Sequence, residues 1–118
     1  MATFVDIIGP IYQDLLRRCE RRKISVNLDF QDLTRKISDV SAVEKFYQTE
    51  IKRALANCAA GDKITLAQSV SEDCIRLSVK NSGLAPLTDA DKEKLRSSGY
   101  EVRSRFGYDT IITLKLPL

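Results

Sequence analysis

Glu50 and Asn57 stand seven positions apart in TEIKRALAN, a spacing that brings both side chains to one face of a helix. A carboxylate can take a proton or hold a cation, and an amide oxygen can join it as a ligand. The pair needs a third group before it can do either, and without one a polar surface accounts for it. A second constellation is Asn81–Ser82–Gly83, at the end of an apolar-alternating run. An amide, a hydroxyl and a glycine that admits close backbone approach could cradle a small molecule. A plain turn after a strand explains the same three residues. Imidazole chemistry is excluded outright, because the chain contains no histidine. It can be neither a histidine phosphoacceptor, nor a histidine-dependent hydrolase, nor a histidine-ligated zinc site.

The other reactive residues point to packing. Cys19, Cys58 and Cys74 are far apart in sequence, form no CxxC pair and are odd in number, so reduced thiols in a cytosolic compartment are expected. The densest basic run is RRCERRK, Arg17 to Lys23. Cations suit the C-terminal end of a helix, and the net charge of +3 does not single out nucleic acid. No stretch approaches the ~18 apolar residues of a membrane span, and no signal peptide is visible.

These residues need elements to hold them. At 118 residues, 43% hydrophobic and 30% charged, the chain has the length and composition of one globular domain. Phe4, Ile8, Ile11, Leu15 and Cys19 keep helical spacing. That predicts a helix from about Asp6, as N-cap, to Arg22, with Pro10 in its first turns. In KISVNLDF, Ile24, Val26, Leu28 and Phe30 alternate as on a half-buried strand. Gln31 to Val40 reads as a connection. Ser41, with Glu44 three residues on, reads as the capping box of a second helix whose apolar face is Val43, Tyr47, Ile51, Ala54, Leu55 and Cys58. Gly61 and Asp62 end it. KITLAQSV and CIRLSVKN read as strands joined by a turn at Ser71–Asp73. Thr88 caps a short polar helix, and YEVRSR and TIITLKLPL form a closing pair turned by Gly107. The order α–β–α–β–β–α–β–β predicts an α+β fold: a two-layer sandwich with a mostly antiparallel, five-stranded mixed sheet and about three helices on one face.

This order, carried by these residues, resembles the ATPase domain of sensor histidine kinases, within the wider Bergerat or GHKL fold family. TFVDIIGPIYQDLLRRCERRKISVNLDF resembles its first helix and strand. EIKRALANCAAGDKITL resembles its Asn-bearing helix and following strand, IRLSVKNSG the strand entering its Asp–x–Gly–x–Gly loop, and SGYEVRSRFGYDTIITLKLPL its closing hairpin. The resemblance implies that Asn57 matches a magnesium-holding Asn, Asn81 the Asp that accepts from adenine, and Gly83 the first loop glycine. It also exposes departures. Arg53 replaces the first Asn, Asn81 is neutral where the family has a carboxylate, and Ala85 replaces the second loop glycine. The segment after Pro86 is short and has Asp89 and Asp91 where a triphosphate would need amides. Asn57, Asn81 and Gly83 are therefore expected as remnants of an ATP site, with no catalytic residue and no bound cofactor or metal.

The expected function is that of a non-catalytic signalling or regulatory module acting through protein contacts. Its partner would be a response regulator or a second copy, not a membrane. The chain would then be a dead domain of a sensor or phosphotransferase, beginning near the family domain's own start. One alternative is an ATP- and magnesium-binding kinase domain acting on a protein. Another is nucleic-acid binding through Arg17, Arg18, Arg21, Arg22 and Lys23.

Overall fold

The structure, a computed structural model, describes residues 2–83, 87–104 and 109–117. Its elements in chain order are β1 (Ala2–Thr3), α1 (Phe4–Arg22), β2 (Ser25–Phe30), β3 (Lys36–Ile37), α2 (Val40–Asn57), β4 (Lys63–Val70), β5 (Cys74–Asn81), α3 (Asp89–Ser97), β6 (Glu101–Arg103) and β7 (Thr110–Pro117). The expected α+β sandwich is present, with two short strands added. A five-stranded sheet has the order β2-β4-β5-β7-β6. Its one parallel pair is β2 with β4, bridged by the α2 crossover, and the remaining pairs are antiparallel.

Alternation puts Ile64 and Leu66 of β4, Leu77 and Val79 of β5 and Ile112 of β7 on the buried face of the sheet. Phe4, Ile8, Leu15 and Cys19 come down from α1, and Val43, Phe46, Tyr47, Ile51 and Ala54 from α2. A chain of edge-on aromatic contacts links the layers: Phe30 to Phe4 at 5.0 Å, Phe46 to Tyr47 at 5.3 Å and Phe46 to Tyr100 at 5.2 Å between ring centroids. No helix among the described residues is long and apolar enough to cross a membrane.

Several local expectations are corrected. The N-cap of α1 is Thr3, not Asp6. Asp6 sits three residues in and closes a capping box: its Oδ2 accepts from the Thr3 amide (3.2 Å), while Thr3 Oγ1 accepts from the Asp6 amide (3.4 Å). The Thr3 hydroxyl and amide hold the Asp6 carboxyl below the usual carboxylate range. α2 begins one residue before the expected Ser41 box, capped by Asp39, whose Oδ1 accepts from Ala42 N–H at 3.1 Å. A carboxylate at position 39 takes the Ala42 amide, two residues before the amide a Ser41 box would take, and so starts the helix earlier. α2 also ends at Asn57, ahead of the Gly61–Asp62 turn.

The connection 31–40 hides β3, which pairs with β1 into a two-residue ribbon too short to register as alternation. β2 is an edge strand, so Leu28 is exposed despite its inward phase. Gln68 is inward, as its alternation suggests, and fully buried. Its amide takes over the role of a strand neighbour, accepting from Asp32 N–H and donating to Asp32 O, both at 2.8 Å. The Gly107 turn lies outside the described residues.

Candidate functional site

The last three turns of α2 place Glu50, Arg53 and Asn57 in succession, and they do not behave alike. Glu50 does not lie on a polar surface. It is 1% exposed, because position 50 continues the inward stripe of Phe46, Tyr47 and Ala54. Its Oε2 accepts from Arg53 Nε at 3.0 Å, and its Oε1 has no hydrogen-bond partner among the described residues. Burial pushes the Glu50 carboxyl upward, and Arg53 opposes this without cancelling it. Tyr100, stacked edge-on against Phe46, has its hydroxyl pushed up by burial and then by the charge of Glu50. Glu50, Arg53 and Tyr100 thus form one electrostatic neighbourhood over the sheet. Helical phase relative to Phe46 is the signal that could have placed Glu50 inside.

Asn57 is the last residue of α2 and half-buried. Asn81 is the last residue of β5 and 4% exposed. Its Oδ1 accepts from the Gly83 amide at 3.1 Å, closing an Asx turn. A Cβ on Gly83 would collide with the backbone carbonyl oxygen of Asn57. The three expected remnants are therefore brought together: Asn81 fixes the turn, and the turn lays Gly83 against the end of α2. Ala85 lies outside the described residues.

Beyond it, Leu87 N–H donates to Ser104 Oγ (2.9 Å), which also bonds Thr110 Oγ1 (3.1 Å), so the α3 segment is tied back to β7. Asp89 and Asp91 occupy the first turn of α3 below its Thr88 cap. Ser104 and Thr110 were not singled out from sequence, since two hydroxyls six residues apart carry no recognisable spacing.

The basic run divides in two. Arg22 donates to the carbonyls of Leu55 (2.7 Å) and Cys58 (2.6 Å) and so closes the C-terminal end of α2. Arg17 and Arg18 both pair with Asp14 on the exposed face of α1. The cysteines are all free and buried. Burial raises the thiols of Cys19 and Cys58, the latter helped by the charge of Asp62.

A mixed sheet of this order under one helical layer is the fold of the histidine-kinase-type ATPase domains. Solved catalytic domains of histidine kinases carry the same fold. A nucleotide-free catalytic domain of the histidine kinase ThkA superposes with a TM-score of 0.81 at 15% identity, covering 98% of this chain and 94% of that one. The Acinetobacter baumannii histidine kinase AdeS matches with a TM-score of 0.78 at 17% identity, over 98% of this chain and 64% of that one. ThkA solved in complex with the response regulator protein TrrA matches with a TM-score of 0.79 at 14% identity, over 98% of this chain and 40% of that one. No protein-family profile matches the sequence, and no curated protein matches it. The likeness is one of fold, carried by the packing pattern and not by shared residues.

Proposed function

We propose that this chain is a histidine-kinase-type fold that has lost its nucleotide chemistry and serves as a signalling or regulatory contact module. The observation that carries the reading is the Arg53–Glu50 ion pair. Where the resembled domains have an amide near the metal, this chain has a guanidinium. It has no lone pair to ligate magnesium, cannot take a proton at neutral pH, and adds a fixed positive charge. Asn81 supports the same reading, because its amide oxygen is engaged by Gly83 N–H and carries no negative charge for an adenine amino group. Asp89 and Asp91 at the start of α3 oppose a polyphosphate there. The residues present do not fit a magnesium–nucleotide complex.

Partners follow from the surfaces a domain keeps when its site is gone. A response regulator is one kind, consistent with the ThkA complex, and a second copy is another. The free, buried cysteines fit a reducing, cytosolic setting. A second reading, an ATP-dependent kinase domain, is favoured only by the retained Asn57 and Gly83. Calorimetric titration with ATP and with ADP, each with magnesium, separates the two, with a thermal shift measured alongside. No heat and no shift at ~1 mM nucleotide is expected, and a dissociation constant near 1 μM would overturn the proposal.

A further inference from the structure

The free edge of β2 is unlike the other edge of the sheet. β6, at the far side, is three residues long and carries Glu101 and Arg103, so it is short and charged as protected edges are. β2 is six residues long and has no proline, no lysine and one charge, Asp29. Its hydrogen-bonding phase is fixed. Ser25 N–H donates to Asp62 O and Gln31 N–H to Gln68 O, so the odd-numbered residues face β4. The N–H and C=O groups of Val26, Leu28 and Phe30 therefore point away from the sheet, and among the described residues β2 pairs with β4 alone.

Apolar exposure includes this edge. The large apolar side chains left exposed among the described residues are Val5, Leu28 and Leu33, each more than 40% exposed. Leu28 is on β2 itself. Val5 N–H donates to Leu33 O at 2.9 Å, and Phe4, next to Val5, stacks on Phe30 at the end of β2. The unpaired edge thus carries one exposed apolar side chain, and the segment packed at its Phe30 end carries two more.

We propose that β2 is a pairing edge, and that its occupant is β2 of a second copy of this chain, antiparallel about a two-fold axis at Leu28. The argument is self-complementarity. An isologous contact must match a patch to itself, and the outward phase permits only registers that set even residues against even ones. Centred on Leu28, the register places Leu28 opposite Leu28 of the second copy and Val26 opposite its Phe30, apolar against apolar. Asn27 falls opposite Asp29, an amide facing a carboxylate. Shifting the axis to Asp29 would set two carboxylates against each other. The result is a continuous sheet across two copies, with the exposed Leu28 pair covered. The proposal rests on reading the chain as a contact module and gives that reading one definite surface.

A single edge buries less than the ~1,600 Å² of a standard interface, so a dissociation constant of about 10–100 μM is expected. Sedimentation equilibrium up to ~1 mM should show a concentration-dependent dimer. Leu28→Lys should weaken it at least tenfold, while Glu101→Lys at the opposite edge should leave it unchanged; far-UV circular dichroism confirms that each variant is folded. As an independent readout, Leu28→Cys should form an intermolecular disulfide under mild oxidation. Facing residues of an antiparallel pair stand about 4.5–5.5 Å apart at Cα, within disulfide reach. A wild-type monomer at every concentration overturns the proposal. So does a dimer that survives Leu28→Lys, or one that cross-links through Asn27→Cys in preference to Leu28→Cys. Because nucleotide titration does not depend on this edge, a monomer that still ignores ATP would overturn the dimer alone.

Discussion

Glu50→Gln removes one charge from a side chain with no exposed surface and keeps its length and its acceptor for Arg53. In the native chain one carboxylate oxygen meets Arg53 and the other meets no donor among the described residues. An unsatisfied buried polar atom costs about 1–3 kcal/mol, and the attraction of a guanidinium that still reaches solvent offsets part of it. Burial outranks pairing at this carboxyl, whose pKa is raised. The charged form is therefore less favourable in the folded chain than in the unfolded one, and holding the charge near neutral pH lowers stability. Glutamine should raise stability at about pH 8 by roughly 1 kcal/mol, or about 3–6 °C in Tm for a domain of this size.

The pH dependence carries the sharper test. A folded pKa above the unfolded one means that the contribution of Glu50 is fully present below the unfolded value. It is lost as pH rises through the folded value. The advantage of the glutamine variant over wild type should grow across that window and vanish at about pH 4 or below, where Glu50 is protonated in both states. Urea and thermal melts at matched pH values measure it. A glutamine variant less stable than wild type at about pH 8, or a difference independent of pH, would show that the ion pair stabilises on balance and would refute the reasoning.

Arg53→Asn restores the amide expected from the resemblance but strands Glu50. Urea melts should show a loss of about 1–3 kcal/mol at pH 8 and less at pH 5, and calorimetry should show no magnesium-dependent ATP binding. Gly83→Ala drives a methyl into the Asn57 carbonyl and should cost about 1–3 kcal/mol in the same assay, with or without nucleotide. Cys19, Cys58 and Cys74 should react with a thiol-specific chromogenic reagent only as fast as the chain opens, so denaturant should accelerate all three together.

The pattern of elements was legible because the apolar residues follow periods that only one secondary structure satisfies. Ile64, Leu66, Leu77 and Val79 alternate, while Phe4, Ile8, Leu15 and Cys19 do not, and each set is buried where its period places it. Helix starts were less legible, since Thr3, Asp6, Asp39 and Ser41 are all competent caps and the choice depends on which carboxylate reaches which amide. Strand neighbours and the β1–β3 ribbon were out of reach, because alternation carries no information about partners. At the candidate site, the resemblance named Asn57, Asn81 and Gly83, and their contacts became visible only in the structure. The burial of Glu50 and the capping of α2 by Arg22 were not legible, because a charged residue reads as surface until its helical phase is weighed against its charge.

The contact between Gly83 and the end of α2 bears on what keeps a glycine at that position. Only a glycine fits beneath the Asn57 carbonyl, and Asn81 holds the turn that brings it there. Selection for a folded chain is enough to keep Gly83, whatever becomes of any ligand. A residue held by packing in this way needs no ligand to keep it in place.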